Sequence, residues 1–265
     1  MDHDDIPIGR LLTRREALAL LGAGSAGVLM GCGASADGQA PASALPTQVE
    51  PTRASTCLVR PEQTEGPFFG DSNLNRADLR TNTLTQTVTP GVPLALTIGV
   101  SQVSEAACLP LENAVVDLWH CDAQGAYSGF RSEGTEGSNA CRGFQKTDAS
   151  GEASFVTVYP GWYRGRAVHL HLKVRTGEGA DAYEFTSQLY LPDDVSDQVY
   201  DHGAYARAEG DRIRNADDGI FRRGGGDQLV MSVAPDGDGY AARFDIGLDL
   251  SDAATGASDG FGRRG

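Results

Sequence analysis

Apolar and polar residues alternate along this chain with a period of two. That period marks residues 93–103, 114–120, 151–159, 168–174, 185–191, 229–234 and 240–248 as strands. Gly, Asp and Pro punctuate the gaps between them, as turn residues do. Helical periodicity is weak and predicts one short segment, around residues 201–208. Several short strands with such turns predict an all-β fold, an antiparallel β-sandwich. Residues 60–80 lack periodicity and contain Gly66-Pro67, so they read as an irregular N-terminal arm. Residues 68–80 and 130–140 are the long loops expected to wall an active site. The tail after Asp249, rich in Gly and Asp, reads as flexible.

Composition adjusts this picture in two places. Of 265 residues, 40% are hydrophobic and 22% charged, enough apolar surface for a sizeable core and too little charge for wholesale disorder. A net charge of −14 excludes an electrostatic nucleic-acid binder, which needs a basic face. The first segment reads as an address. Thr13-Arg14-Arg15-Glu16-Ala17-Leu18 resembles a twin-arginine export signal, with Ala17 where that motif usually has Phe. The apolar run from Leu18 to Met30 is too short to span a bilayer and fits a secretory signal. Leu29-Met30-Gly31-Cys32 resembles a lipobox, whose Cys is lipidated; plain cleavage near Ala34 to Ala36 is the alternative. The expected layout is a signal peptide over 1–32, a tether rich in Ala, Ser, Pro and Gly over 33–56, a β-sandwich domain over 57–250 and a tail over 251–265. The expected location is outside the cytoplasm, with Cys32 as a membrane anchor. Cys57, Cys108, Cys121 and Cys141 then remain. In an exported chain they predict two disulfides, with three connectivities open. Cys121 and Cys141 flank the segment bearing Tyr127, and pairing them would brace it. Free buried thiols are the competing reading.

Candidate chemistry starts at Val168-His169-Leu170-His171-Leu172-Lys173-Val174. On a strand, Val168, Leu170, Leu172 and Val174 face a core while His169 and His171 face away from it together. Two imidazoles on one face can bind one metal, although such a pair alone is a weak signal. Upstream, the Pro160-Gly161 turn and Gly165 let the chain fold back beside that strand, so that Tyr163 can reach the same metal. Tyr127 sits in a predicted loop, where functional groups often sit.

Several spaced segments together resemble the intradiol ring-cleavage dioxygenases, protocatechuate 3,4-dioxygenases especially. They are Trp119-His120-Cys121-Asp122-Ala123 with Gly125-x-Tyr127, then Arg142-Gly143-x-Gln145-x-Thr147-Asp148, then Pro160-Gly161-x-Tyr163 and Arg166-x-x-His169-x-His171. Pro61 to Phe68 resembles that branch's N-terminal arm, and Ser187-Gln188-Leu189-Tyr190 another family segment. The resemblance implies one non-haem Fe(III) per chain, held by Tyr127, Tyr163, His169 and His171. It implies that Tyr163 is the axial phenolate that leaves and Tyr127 the one that stays. It implies that Arg166 lies near the ring carbon attacked by O2, and that Gln188 hydrogen-bonds nearby. The expected partners are O2 and a small catechol-type aromatic substrate, and homo-oligomers like those of related enzymes are a further expectation. The donor set agrees with elementary chemistry, because ferric iron is hard and prefers anionic oxygen, and a bound cation can deprotonate a phenol.

Two other functions compete. A sandwich held outside the membrane could be a non-catalytic binding module for aromatic or sugar ligands. A zinc hydrolase could use His169 and His171 with His120, without tyrosine ligands. His120 reads as structural, and Asp217-Asp218-Gly219 as a turn. Asp117 and Asp122 could complete a two-His-one-carboxylate Fe(II) site, which the order of the motifs argues against.

Overall fold

The computed structural model describes residues 58–252, apart from 72, 105–106, 178–181 and 206–211. These residues lie within one compact unit, Thr52–Gly265. The expected signal peptide, lipobox, tether and all but the first residues of the tail fall outside the described residues. Among the described residues, no helix is long and apolar enough to cross a membrane.

Eleven strands are named in chain order: β1 (Thr81–Asn82), β2 (Thr87–Val88), β3 (Pro93–Val103), β4 (Cys108–Pro110), β5 (Val115–Trp119), β6 (Arg142–Lys146), β7 (Glu152–Val158), β8 (His169–Thr176), β9 (Tyr183–Tyr190), β10 (Ser232–Asp236) and β11 (Gly239–Leu248). They form the expected sandwich. One sheet runs β10-β11-β3-β4, with β7 also paired to β3; the other runs β6-β5-β8-β9; β1 and β2 form a separate hairpin. All these pairings are antiparallel but one: β11 runs parallel to β3, from Tyr240↔Leu94 to Leu248↔Gln102.

The core lies between the two sheets and follows from the period-two pattern. Leu94, Leu96, Ile98 and Val100 of β3 alternate inward and meet Val116 and Leu118 of β5, Leu170, Leu172 and Val174 of β8, and Phe244 and Ile246 of β11. Removing this apolar surface from water is the main force holding the sheets together.

Two expectations change. The segment expected around residues 201–208 holds a 3-10 turn at Gly203–Tyr205, with 206–208 outside the described residues, and the α-helix forms over Asp193–Val199. It opens after Pro192 with Asp193 and Asp194 in its first turn, where carboxylates favour the helix dipole. Only Ser196 and Val199 are buried, too little to give a visible apolar stripe. The strand β6 was not expected either. Its sequence, Arg-Gly-Phe-Gln-Lys, has no apolar alternation because Arg142 and Gly143 are buried against loops and not in the sandwich core.

Candidate metal centre

The outer face of the four-stranded sheet is an odd place for buried polar residues, yet it holds many. Register puts Trp119 of β5, His171 of β8 and Gln188 of β9 in one cross-strand row, and His169 beside Tyr190 in the next. Both histidines are only 2% exposed. The N-terminal arm covers them. Gln63 N–H donates to Thr186 O at 3.1 Å, and Gln188 Nε2 donates to Thr64 O at 2.8 Å. Lys173 pairs with Glu65 and, at 2.6 Å, with Glu184. Phe68 then stacks on Tyr127 with centroids 4.4 Å apart, and Phe69 leans on Trp119 at 4.9 Å.

Two loops deliver the tyrosines, and two glycines let those loops touch. A Cβ on Gly125, at φ +84°, would lie 2.3 Å from Trp162 O; one on Gly161 would lie 2.5 Å from Ala123 O. Gly161 N–H donates to Asp122 O at 3.0 Å across the same seam. No other residue type fits this backbone-to-backbone contact. Tyr163 Oη consequently lies 3.1 Å from His169 Nε2, and Tyr127 Oη lies 3.1 Å from His171 Nε2. The structure thus brings together all four residues expected to bind metal.

Their chemistry fits a hard cation. His169 Nδ1 donates to Ala167 O at 2.7 Å, which fixes the tautomer and leaves Nε2 as a lone pair towards Tyr163. Burial pushes Tyr127 well above the usual phenol range and Tyr163 up to about 12, and pulls His169 down to about 3 and His171 well below its usual value. Left to themselves, all four groups are neutral; a hard cation that displaces the phenol protons would turn two of them into anionic oxygen donors. Two donors each about 2.1 Å from a shared cation, at right angles, stand about 3 Å apart, which is the spacing of both Tyr–His pairs. His171 Nδ1 and Trp119 Nε1 are buried without a partner beside the cluster. Among the described residues, no group of three His, Cys, Asp or Glu competes as a metal site.

Arg166 and Gln188 also reach the cluster. Arg166 Nη1 donates to His169 Nε2 at 3.4 Å, its Nη2 donates to Gln188 Oε1, and its Nε donates to Asp218 Oδ2 at 2.9 Å. Asp218 is the residue that sequence reasoning misread. It does more than make a turn. Its Oδ2 also accepts from Ala167 N–H at 2.8 Å, and its Oδ1 caps the helical turn Gly219–Arg223 through Ile220 and Phe221 N–H. Burial opposes its charge, but the Ala167 N–H and Arg166 hold the carboxyl below the usual range. A carboxylate just before a helical turn was the available signal; its second partner, 52 residues away, was not visible.

The remaining candidates are placed elsewhere. His120 is fully buried, with Nδ1 2.7 Å from Cys121 O and Nε2 2.7 Å from Thr157 Oγ1, so neither nitrogen is free for metal. That removes the ligand the zinc reading needs. Asp117 pairs with Arg175 at 2.7 Å, and Asp122 Oδ1 accepts from Gln124 and Ala126 N–H within its own loop. The brace expected from a Cys121–Cys141 disulfide is absent: both are free, buried thiols. They belong to different packing groups, Cys121 with Trp119 and Tyr127, Cys141 with Ala140 and Val158. Cys108 is disulfide-bonded, to a partner outside the described residues.

Known proteins resemble this chain in sequence and fold. A family model described as "Dioxygenase" matches residues 64–218, a span holding all four clustered residues, Arg166, Gln188 and Asp218. A catechol 1,2-dioxygenase of Acinetobacter lwoffii is 29% identical over 118 residues, covering 38% of this chain and 36% of that protein. The chain therefore matches only about a third of that relative's length. The dioxygenase domain of a dioxygenase–carbohydrate-binding fusion from Streptomyces sp. SirexAA-E is 30% identical, with TM-score 0.52, covering 73% of this chain and 99% of that one. An intradiol ring-cleavage dioxygenase of Tetranychus urticae shares the fold at TM-score 0.63 and 24% identity, covering 74% and 96%. With the family model spanning more than half the chain and this sandwich beneath it, the chain belongs to the intradiol ring-cleavage dioxygenases.

Proposed function

We propose that this chain is a non-haem Fe(III) dioxygenase that opens a catechol-type ring between its two hydroxylated carbons, with Tyr127, Tyr163, His169 and His171 as ligands. The observation that carries the reading is the meeting of two phenols and two imidazoles, 3.1 Å apart in each pair, on a largely buried face. Family members use non-haem iron. When bound, ferric iron would supply a Lewis acid that draws electron density from a catecholate ring, so that O2 can attack carbon.

The chain's own residues do the rest. Two phenolates offset two units of the ferric charge, leaving one for an anion from solvent. A catechol bound as a dianion would balance the same charge in place of Tyr163 and that anion. Tyr163 Oη would then accept one of the two protons the substrate gives up, and the solvent anion the other. Tyr127 and the histidines stay and set the orientation. Arg166, fixed by Asp218 and Gln188, offers a guanidinium to negative charge developing on the ring. The buried face excludes bulk water and strengthens that interaction.

Metal analysis with oxygen uptake tests this reading. Expected are iron, a visible phenolate band, and O2 consumption with at least one of a panel of catechols. Both product carboxylates should carry label from isotopic O2, apart from exchange with water. A yellow semialdehyde product, or no uptake with any catechol despite full iron loading, would overturn it. Colourless zinc protein would also overturn it, and stoichiometric iron without turnover would favour the binding module.

Export is a separate proposal, supported by Arg14-Arg15 and by Leu29-Met30-Gly31-Cys32. Mass spectrometry of the native N-terminus tests it. A lipidated Cys32 supports the anchor, an unmodified N-terminus beyond Cys32 keeps export without it, and an intact leader on protein from the native host removes both.

A further inference from the structure

Arg142 stands out among the buried cations. Its side chain leaves β6 opposite Trp119 and is 5% exposed as a residue. The other cations of this sheet face are paired: Lys173 with Glu65 and Glu184, Arg175 with Asp117, and Arg166 beside them with Asp218. Arg142 has no carboxylate partner among the described residues. Its hydrogen bonds all end on neutral acceptors: Nε donates to Ser128 Oγ at 2.9 Å, Nη2 to Ser128 O at 2.6 Å, and Nη1 to Phe68 O at 3.3 Å. The guanidinium also lies 5.1 Å from the centre of the Phe130 ring. A buried cation without a counter-charge is costly, so its retention needs a cause.

The acceptors indicate the cause. Ser128 follows Tyr127 directly, and Phe68 is the ring stacked on Tyr127. One planar fork therefore ties the loop that carries the tyrosine to the arm that covers it. Cys141, its neighbour in the chain, and Tyr127, the neighbour of Ser128, are the acidic groups whose ionised forms would favour its charge, while Arg76 opposes it. Burial pushes the Cys141 thiol up to about 12, so it stays neutral at ordinary pH. Burial pulls Arg142 down to about 10, still charged at neutrality. The fork grips Ser128, one residue from Tyr127, so a Tyr127 phenolate formed on metal binding would be the counter-charge this guanidinium lacks.

We propose that Arg142 is a positioning residue for Tyr127: it clamps the tyrosine between its loop and the N-terminal arm, and places a fixed positive charge beside the phenolate once metal is bound. This rests on Tyr127 being a ferric ligand. The clamp keeps metal in place. The charge lowers the energy of the phenolate's filled orbitals and so raises the energy of the phenolate-to-iron transition. A purely structural arginine does the first and not the second.

The test uses full-length, iron-loaded protein, with the visible spectrum and the rate of iron removal by a strong chelator as readouts. Arg142→Gln should move the band to longer wavelength and speed iron loss by about ten- to a hundredfold, the usual effect of removing a group that supports a metal ligand. Arg142→Lys returns the charge without the fork. It should restore the band position while iron still leaves several-fold faster than from wild type. Ser128→Ala leaves the guanidinium in place and removes one acceptor; it should speed iron loss with the band unmoved, and it serves if the Gln variant does not fold. A folded Arg142→Gln protein with wild-type band and retention overturns the inference. So do Arg142→Lys and Ser128→Ala proteins that both hold iron as wild type does. In each case the wild-type band is intact, and the ferric reading survives. A wild-type protein without the band overturns that reading and the inference with it.

Discussion

Around Tyr127 the chain is tied at every step, whereas around Tyr163 it is nearly free. Asp122 accepts from the backbone at Gln124 and Ala126, Thr135 Oγ1 donates to Tyr127 O at 2.5 Å, Arg142 holds Ser128, and Phe68 lies on the ring. In the other loop, Arg164 and Gly165 are exposed, and space around Gly165 is open. Its internal restraint is a 3.4 Å hydrogen bond from Arg166 N–H to Tyr163 O. A ligand on a braced loop cannot leave without breaking many contacts; one on an open loop can swing out for the loss of few. The expected division, with Tyr127 staying and Tyr163 leaving, thus has a counterpart in how the loops are built.

Replacing each phenol separately should produce the largest contrast. Tyr127→Phe should lose or strongly change the visible band and bind iron far more weakly. Tyr163→Phe should keep more iron, with turnover falling most. Iron content and spectra of the two variants, side by side, check this; equal iron loss would erase the asymmetry, and unshifted colour in Tyr127→Phe would rule it out as a ligand.

Next in size is the seam that both loops share. Gly125→Ala forces a side chain to φ +84° and drives its Cβ into Trp162 O. The expected cost is roughly 3 kcal/mol, or about 6–12 °C in Tm, with weakened iron binding. Calorimetry of the variant decides, and a Tm within a degree of wild type would mean the loops can part freely.

A smaller effect is expected on the open loop, where Arg166 depends on Asp218. Arg166→Ala should retain iron and lose about a hundredfold in turnover, since it removes charge stabilisation and no ligand. Asp218→Asn leaves Arg166 in place with a weaker anchor and a weaker helix cap, so turnover should fall about tenfold and stability by about 1 kcal/mol. Steady-state kinetics with iron quantified in each sample separates these from metal loss.

At neutral pH the smallest effect, confined to acid conditions, concerns the base of the braced loop. Burial lowers the pKa of His120 from about 6.5 to about 4. The unfolded chain takes up this proton as pH falls through 6.5, and the folded chain does not until about 4. The neutral side chain's contribution is therefore complete above 6.5 and lost progressively between 6.5 and 4, up to about 3 kcal/mol. His120→Gln should flatten the fall of Tm with pH across that window. An identical slope in the variant would show that His120 takes no part in it.

Much of the site was legible because its signals are local. The two histidines of β8 share a face by the period of a strand, whatever the rest of the chain does. The spacing of Tyr163 from them is set by one Pro-Gly turn and one loop. The misread residue has a different property: Asp218 meets Arg166 across 52 residues. The thiols went wrong for a related reason: Cys121 and Cys141 look paired along the chain, but their side chains enter different packing groups.

The sequence by itself therefore determined the sandwich and the strand bearing two histidines, and the family resemblance added the set of donors. Alternation carries the first two within a few positions. Tertiary structure alone decided which arginine is anchored and which is left with a buried, unbalanced charge, which described cysteines stay free, and which tyrosine is braced. Each of those depends on side chains that meet only after distant segments pack, where the loss of water makes an unpaired charge or a misplaced Cβ costly.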